Sequence, residues 1–132
     1  MLVLDASAMI AFLRRERGSE IVAEALLDPT NQCYAHALNL CEVFYDFHRA
    51  MGRIDALNAI DDLVRLGVQQ NSILSDRIWQ QAGTLKSIHR RVSIADCFAI
   101  TLAQRLGATL LTSDHHEFDA LVGSVCEIRF IR

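Results

Sequence analysis

The sequence is poor in lysine and in net positive charge. Of its thirteen basic residues only one, Lys86, is a lysine, and the formal net charge is −3. A negative chain does not suit a protein that coats nucleic acid through overall positive charge. Arginine suits planar, bidentate recognition of phosphate. Drift of composition explains the bias equally well, so the arginines alone assign no function.

Long apolar runs and paired cysteines are also missing. No apolar run approaches the ~18 residues that span a bilayer, so we expect no membrane segment. No basic stretch precedes the first apolar run; we therefore expect no secretory signal and a cytoplasmic protein. Cys33, Cys41, Cys97 and Cys126 are widely spaced and form no C-x-x-C pair. We expect them to be small core residues rather than disulfide partners or zinc ligands.

The first seven residues organise the rest of the chain. Leu2–Leu4 is an apolar run without alternation, which predicts a strand buried on both faces. Asp5 follows, and an amphipathic helix is predicted over residues 8–15. Asp5 would therefore lie where a central strand ends and a helix begins. That edge of an open α/β sheet is where ligands bind.

The remaining patterns predict one α/β domain over residues 1–132. Apolar residues make up 52% and charged residues 22%, as in folded globular proteins. Further strands are predicted over residues 33–37, 68–73, 108–112 and 126–131. Further helices are predicted from residue 19, over 40–51, from 54 to about 67, over 76–89, and from 93 to 107. Short strands separated by one or two helices indicate a parallel sheet with right-handed crossovers.

Four polar patterns stand at predicted helix starts. They are Asp5-Ala6-Ser7, Asn39-Leu40-Cys41-Glu42, Ser93-Ile94-Ala95-Asp96 and Asp114-His115-His116-Glu117, with Asp119 just beyond the last. The last three of these patterns fit a capping box or a close variant. Acids in a first helical turn are also stabilised by the helix dipole, by ~0.3–1 kcal/mol. Taken singly, each acid is better explained as a cap than as a catalyst.

Position in the fold changes that interpretation. Helices that directly follow parallel strands start at the same edge of the sheet, so Asp5, Glu42 and Asp114 should gather there. Asp96 opens the helix that leads into the strand before Asp114, so its placement depends on how that helix packs. Unpaired carboxylates at ~4 Å repel by ~4 kcal/mol per pair at an effective dielectric near 20. A hard divalent cation such as Mg²⁺ is the natural counter-charge, and it can activate water for phosphodiester cleavage.

The four patterns together resemble a known family. Asp5-x-Ser7, Asn39-x-x-Glu42-Val43, Ser93-x-Ala95-Asp96 and Thr112-x-Asp114 with Glu117-Phe118 look like the four acidic motifs of PIN-domain ribonucleases. The nearest resemblance is to the toxin subunits of VapBC toxin–antitoxin pairs. It covers essentially the whole chain, including Gly107–Thr112 before the last acid.

The resemblance implies a three-layer α/β/α fold with about five parallel strands, and endonucleolytic cleavage of RNA that depends on Mg²⁺ or Mn²⁺. The implied catalytic acids are Asp5, Glu42, Asp96 and Asp114, with Asp5, Asp96 and Asp114 as metal ligands. Ser7, Asn39 and Thr112 would be supporting groups. The family's last motif often has Asp where this chain has Glu117, so either Glu117 or Asp119 could complete the pocket.

The resemblance also implies partners. A cognate antitoxin and homodimerisation are expected, and Phe44, Tyr45, Phe47 and Met51 mark a candidate groove on a surface that should mostly be core. Arg90 and Arg91 precede Ser93, and we hypothesise that one of them holds a substrate phosphate; a solvated loop is the alternative.

His36 stands where the family often has a small hydroxyl residue. We expect a packed strand histidine there rather than a substrate contact.

Two other functions compete with the ribonuclease. One is a catalytically silent PIN-like binding module in which the acids act only as caps. The other is a phosphatase-type phosphoryl-transfer enzyme. Haloacid-dehalogenase phosphatases carry Asp-x-Asp where this chain has Asp5-Ala6-Ser7, and receiver domains place a Lys after a late strand, whereas Lys86 lies within a predicted helix.

Overall fold

The computed structural model describes residues 1–132 and contains five strands and seven helices. The strands are Leu2–Leu4 (β1), Cys33–His36 (β2), Val68–Asn71 (β3), Thr109–Thr112 (β4) and Ile128–Phe130 (β5). The helices are Ala6–Leu13 (α1), Ser19–Leu27 (α2), Ala37–Met51 (α3), Arg53–Arg65 (α4), Asp76–Ile88 (α5), Ile94–Leu106 (α6) and His115–Phe118 (α7). None of these helices is both long and apolar enough to cross a membrane.

All five strands pair in parallel in the order β3-β2-β1-β4-β5. The central strand is β1, in which Leu2 pairs with Cys33 on one side and Thr109 on the other. Val3 and Leu4 are both fully buried, in separate cores on opposite faces of the sheet. The prediction of a strand buried on both faces is confirmed.

Helices cover both faces of the sheet. Side chains from α1–α4 form a core with Leu4, Cys33 and Leu111. Side chains from α5, α6 and α7 form the second core with Val3 and Leu110. The three-layer α/β/α architecture with a five-stranded parallel sheet is therefore confirmed.

The start of α3 differs from the prediction. The helix begins at Ala37 rather than at residue 40, and its cap is His36, whose Nδ1 accepts a hydrogen bond from the Leu38 N–H at 3.2 Å. Asn39 lies in the first turn, so the capping box predicted for it is wrong. His36 is 1% exposed, and its ring lies 5.0 Å from that of Phe98. The expectation of a packed histidine is confirmed.

The cysteines are all free thiols. Cys33 and Cys97 lie in the two cores, as expected. Cys41 is exposed, so its prediction as a core residue is wrong, because the buried face of α3 is formed by Leu40, Val43 and Phe47 and Cys41 lies off that face.

Candidate acidic site at the carboxyl edge of the sheet

Five carboxylates gather where the central strands end. Asp5 follows β1, Asp114 follows β4, and these strands are neighbours. Glu42 lies on α3, Asp96 in the first turn of α6, and Glu117 on α7. Burial is the largest cause of the raised pKa values of Asp5, Glu42 and Asp96, and repulsion between the acids raises these pKa values further. Asp5 is repelled by Asp114, and Glu42 is repelled by Asp5 and Glu117. Asp96 is repelled by Asp5, Glu117 and Glu42.

The tightest group consists of Asp96, Asp114 and Glu117. One carboxylate oxygen from each lies within 4.8 Å of the others. Ligands of a six-coordinate Mg²⁺ stand ~2.1 Å from the ion and hence roughly 3–4 Å from one another. The three oxygens fit such an ion after small side-chain adjustments. A set of hard oxygens with no Cys or His suits Mg²⁺ or Mn²⁺ better than zinc.

Asp5 is buried, and both of its carboxylate oxygens accept hydrogen bonds. Its Oδ1 accepts from Ser7 Oγ and from the Ala8 N–H, both at 2.8 Å, so Asp5 also caps α1. Its Oδ2 accepts from Thr112 Oγ at 2.5 Å. Burial raises the pKa of Asp5 to about 6, although these three hydrogen bonds oppose the rise.

Two hydroxyl groups join the end of β1 to the end of β4. Ser7 Oγ lies 3.2 Å from Thr112 Oγ and accepts from the Ser113 N–H at 2.9 Å. Thr112 Oγ accepts from the Asp114 N–H at 3.0 Å. The same hydroxyls that hold the Asp5 carboxylate therefore fix the backbone that presents Asp114.

Asp96 is almost as buried as Asp5 but has a different environment. It is 8% exposed, and burial raises the pKa of Asp96 well above its usual range. A hydrogen bond to Glu117 and repulsion from neighbouring acids raise this pKa further. Without a cation, Asp96 therefore stays protonated at neutral pH.

The loop before α6 supplies the fixed contacts on this side. Ser93 Oγ caps α6 by accepting from the Asp96 N–H at 3.1 Å. The Ser93 N–H donates to Glu117 Oε2 at 3.1 Å. Ser93 therefore fixes the position of Asp96 and also donates a hydrogen bond to the carboxylate of Glu117.

Glu117 and Asp119 are placed differently. The Glu117 N–H donates to Asp114 Oδ1 at 3.0 Å, which caps α7 and turns Glu117 into the group. Asp119 is exposed and its Oδ1 lies 2.7 Å from His115 Nδ1. The structure thus brings Glu117 to the other acids and directs Asp119 to a surface histidine.

Asn39 is buried against the first turn of α6. Its Nδ2 donates to the Ala95 carbonyl at 3.2 Å, and its Oδ1, also buried, has no hydrogen-bond partner. A buried oxygen without a hydrogen bond lowers the stability of the fold. Asn39 Oδ1 is therefore suited to accept a hydrogen bond from a group that binds in the site, such as an ordered water.

The arginine pair and Lys86 complete the surroundings. Arg90 and Arg91 are exposed, and neither side chain forms an ion pair. Lys86 Nζ donates to the carbonyls of Arg90 and Val92 at 2.8 and 2.7 Å. No function was assigned to Lys86 from the sequence. The only feature of the sequence that distinguishes this residue is that it is the single lysine of the chain.

In solved structures the chain is similar to VapBC2 from Rickettsia felis, which was crystallised with a DNA fragment from its promoter (TM-score 0.74, 17% identity, covering 98% of this chain and 97% of that chain). It is similar to Mycobacterium tuberculosis VapC20, described as a sarcin-ricin loop cleaving toxin (TM-score 0.70, 17% identity, 91% and 95% covered). It is also similar to VapBC-1 from nontypeable Haemophilus influenzae (TM-score 0.70, 20% identity, 98% and 97% covered). No significant match was found among curated proteins.

These structural likenesses establish the fold. The family follows from the sequence itself, because the PIN domain model matches residues 2–123, nearly the whole chain. The acids at the carboxyl edge of β1 and β4 lie within that match. The chain belongs to the PIN domain family.

Proposed function

We propose that the chain is a metal-dependent endoribonuclease and the toxin of a VapBC-type toxin–antitoxin pair. The observation that carries the proposal is the convergence of Asp96, Asp114 and Glu117 within 4.8 Å in a PIN domain. Such crowding of like charges is costly unless a cation is bound. The similarity to VapC20, described as a sarcin-ricin loop cleaving toxin, supports RNA as the substrate.

Asp96, Asp114 and Glu117 would hold Mg²⁺ or Mn²⁺, with Asp5 as a further ligand or as a charge immediately behind them. When bound, the ion supplies an activated water and neutralises charge on the phosphate that is cut. Asp5 Oδ2 accepts only one hydrogen bond from the protein, so a lone pair on that oxygen is free. With a pKa of about 6, Asp5 is mostly ionised at neutral pH.

Glu42 is proposed as the acid that exchanges protons with water in the site. Burial, followed by repulsion from Asp5 and Glu117, raises the pKa of Glu42. A carboxylate with a raised pKa is a stronger base and is therefore better suited to accept a proton from water. Glu42 is half-buried on α3 and is not a member of the tight group, so it can serve this role without holding the ion.

Cleavage of RNA by the purified protein tests the activity. Incubation with mixed cellular RNA should give fragments with Mg²⁺ or Mn²⁺ and none with a chelator. Asp114→Asn should abolish cleavage, whereas Asp119→Asn, a matched change at an acid outside the group, should retain it. Cleavage that persists in chelator, or in the Asp114→Asn protein, would refute the proposed mechanism.

The exposed pair Arg90 and Arg91 is proposed to hold a phosphate of the RNA. Both precede Ser93, whose N–H touches Glu117. Their guanidinium groups are free of protein carboxylates and hence available for bidentate contacts. Arg91→Ala should weaken binding of RNA to a catalytically inactive Asp114→Asn protein several-fold and lower the salt dependence of binding. Unchanged affinity and salt dependence would remove Arg91 from the substrate site.

A groove away from the acidic site is the candidate partner surface. It has a volume of about 490 Å³ and lies between α1, α2 and α4, where it is lined by Phe12, Leu13 and Leu66 with charged residues of both signs beside them. We propose that an apolar segment of an antitoxin fills this groove, because several similar structures are toxin–antitoxin complexes. Leu13→Asp should prevent co-purification with the product of an adjacent antitoxin gene, and retained co-purification would refute this assignment.

The surface predicted on α3 is only partly available for binding. Phe47 is buried and Phe44 is half-buried, whereas Tyr45 and Met51 are 61% and 59% exposed. Homodimerisation through an exposed apolar surface is part of the proposal. Light scattering of the purified chain should give the mass of two copies, and the mass of one copy would refute it.

A further inference from the structure

The one lysine of the chain binds backbone rather than an acid. Lys86 lies in the last turn of α5, and its Nζ donates to the carbonyl oxygens of Arg90 at 2.8 Å and Val92 at 2.7 Å. It forms no ion pair with any carboxylate. A charged donor to two carbonyls restrains the backbone more strongly than a neutral hydrogen bond does.

The geometry of the contact suits a lysine better than an arginine. Three N–H groups on one nitrogen can converge on two carbonyls that lie two residues apart. The donors of an arginine are spread over a planar fork that matches a carboxylate or a phosphate instead. In a chain with twelve arginines and one lysine, the lysine stands at the position where donors must converge.

The restrained loop leads directly into the acidic site. Val92 is 2% exposed and anchors the loop in the core. The next residue, Ser93, donates its N–H to Glu117 Oε2 at 3.1 Å and accepts from the Asp96 N–H on its Oγ at 3.1 Å. If the Val92 carbonyl were displaced, the Ser93 N–H that donates to Glu117 would move with it. The Ser93 hydroxyl that caps the helix of Asp96 would move as well.

We propose that Lys86 is a positioning residue of the acidic site. By holding the Arg90 and Val92 carbonyls, it fixes Ser93 and through Ser93 the positions of Asp96 and Glu117. Its hydrogen bonds go to these carbonyls and not to the acids. The role in metal binding rests on the proposed function, whereas the role in fixing Ser93 does not.

Three variants test the proposal. Lys86→Met keeps the length and apolar stem but removes the donors, and Lys86→Arg keeps the charge but spreads the donors. Arg77→Met is the matched control, because Arg77 is an exposed cation on α5 with no hydrogen bond or ion pair in the structure. Hydrogen exchange of the Ser93 amide is measured without metal, and Mn²⁺ affinity is measured by electron paramagnetic resonance.

Both lysine variants should exchange the Ser93 amide about tenfold faster than the wild type. Both should also bind Mn²⁺ roughly tenfold more weakly, as is common when groups that orient ligands are lost. Arg77→Met should match the wild type in both measurements. Cleavage should fall mainly in kcat, with KM for RNA little changed, since Lys86 does not contact substrate.

Unchanged exchange at Ser93 in Lys86→Met would overturn the proposal. Full retention of both properties in Lys86→Arg would show that charge rather than converging donors matters, which also overturns it. If the wild type bound no Mn²⁺, the proposed function would fail, but exchange at Ser93 would still decide whether Lys86 fixes the loop.

Discussion

Asp5 and Asp96 are two buried aspartates at the same sheet edge with opposite surroundings. Asp5 is 1% exposed and accepts three hydrogen bonds from Ser7, Ala8 and Thr112. Asp96 is 8% exposed, and its main side-chain partner is the acid Glu117. The protein itself stabilises the charge of Asp5, whereas it leaves the charge of Asp96 opposed by burial and by a second acid.

The difference shows how the work of the site is divided. The hydroxyl groups beside Asp5 keep a fixed carboxylate between β1 and β4 without help from an ion. On the α6 side, backbone contacts fix the positions of Asp96 and Glu117, but few hydrogen-bond donors stabilise the negative charge of their carboxylates. Such an arrangement stores unfavourable electrostatic energy that a cation would relieve. An acid can therefore be both a helix cap and a metal ligand. Asp114 caps α7 with Oδ1, and its other oxygen accepts no hydrogen bond from the protein.

The largest expected effect comes from Asp96→Asn, which removes the opposed charge. RNA cleavage should fall at least about 100-fold, because the amide cannot neutralise a cation. The metal-free protein should be about as stable at pH 7 as the wild type, since Asp96 is already protonated there without a cation and the amide has the same shape. Cleavage assays and thermal melting in chelator measure the two effects, and Mn²⁺ should no longer raise the melting temperature.

Loss of cleavage together with a large loss of metal-free stability would contradict this account. That pattern would indicate that Asp96 is a structural cap whose carboxylate stabilises the fold, and it would favour a catalytically silent binding module. Ile94→Ala, at an exposed position in the same helical turn, is the control for disturbance of α6.

The second prediction concerns pH and Asp5. Its pKa is about 6 when folded against 3.8 as a model value, so between these pH values the folded protein holds a proton that the unfolded chain has released. The free energy of unfolding of the metal-free protein should therefore fall as pH rises from about 4 to 6, and this contribution should be constant above pH 6. A shift of this size corresponds to roughly 3 kcal/mol.

Glu42 and Asp96 titrate in the same direction, because burial raises the pKa of both. Comparison with Asp5→Asn isolates the contribution of Asp5. Urea unfolding at pH 4.5 and pH 7 should show a smaller loss of stability in Asp5→Asn than in the wild type. An equal loss in the two proteins would mean that Asp5 does not titrate in this range.

Much of this comparison could be predicted from the sequence, because the relevant signals are local. The apolar run before Asp5 predicted the central strand, and Ser93 and Asp114 were recognisable as helix caps. In each case the side chain accepts a hydrogen bond from a backbone N–H three residues ahead. The order of the strands follows less directly, since pattern alone does not say which strands are neighbours.

The errors and omissions depend on contacts between residues distant in sequence. Asn39 fitted a capping box, but β2 passes directly into α3 and His36 takes the cap, because its ring is fixed by Ile73 and Phe98. The choice between Glu117 and Asp119 depends on the Ser93 N–H, 24 residues before Glu117. No local pattern reports such a contact.

The third prediction makes Asp5 resemble Asp96 by removing one donor. Thr112→Val keeps the shape of the side chain but leaves Asp5 Oδ2 without its hydrogen bond. The free energy of unfolding at pH 7 should fall by about 1–3 kcal/mol, the cost of an unpaired buried polar group. At pH 5 the loss should be smaller, since Asp5 is then mostly protonated. Chemical denaturation at both pH values measures the difference, and an equal loss at both would attribute it to packing alone.

The smallest effect separates Glu117 from Asp119 on the α6 side. Glu117→Gln keeps an acceptor for the Ser93 N–H but removes the charge, so Mn²⁺ affinity should fall about tenfold while the fold is retained. Asp119→Asn should leave Mn²⁺ affinity within about twofold of the wild type, because Asp119 is exposed and paired with His115. Calorimetric titration of both variants under one buffer condition makes the comparison direct. The reverse ranking would move the outer ligand to Asp119, and the Ser93–Glu117 contact would then be a helix-packing feature rather than part of the site.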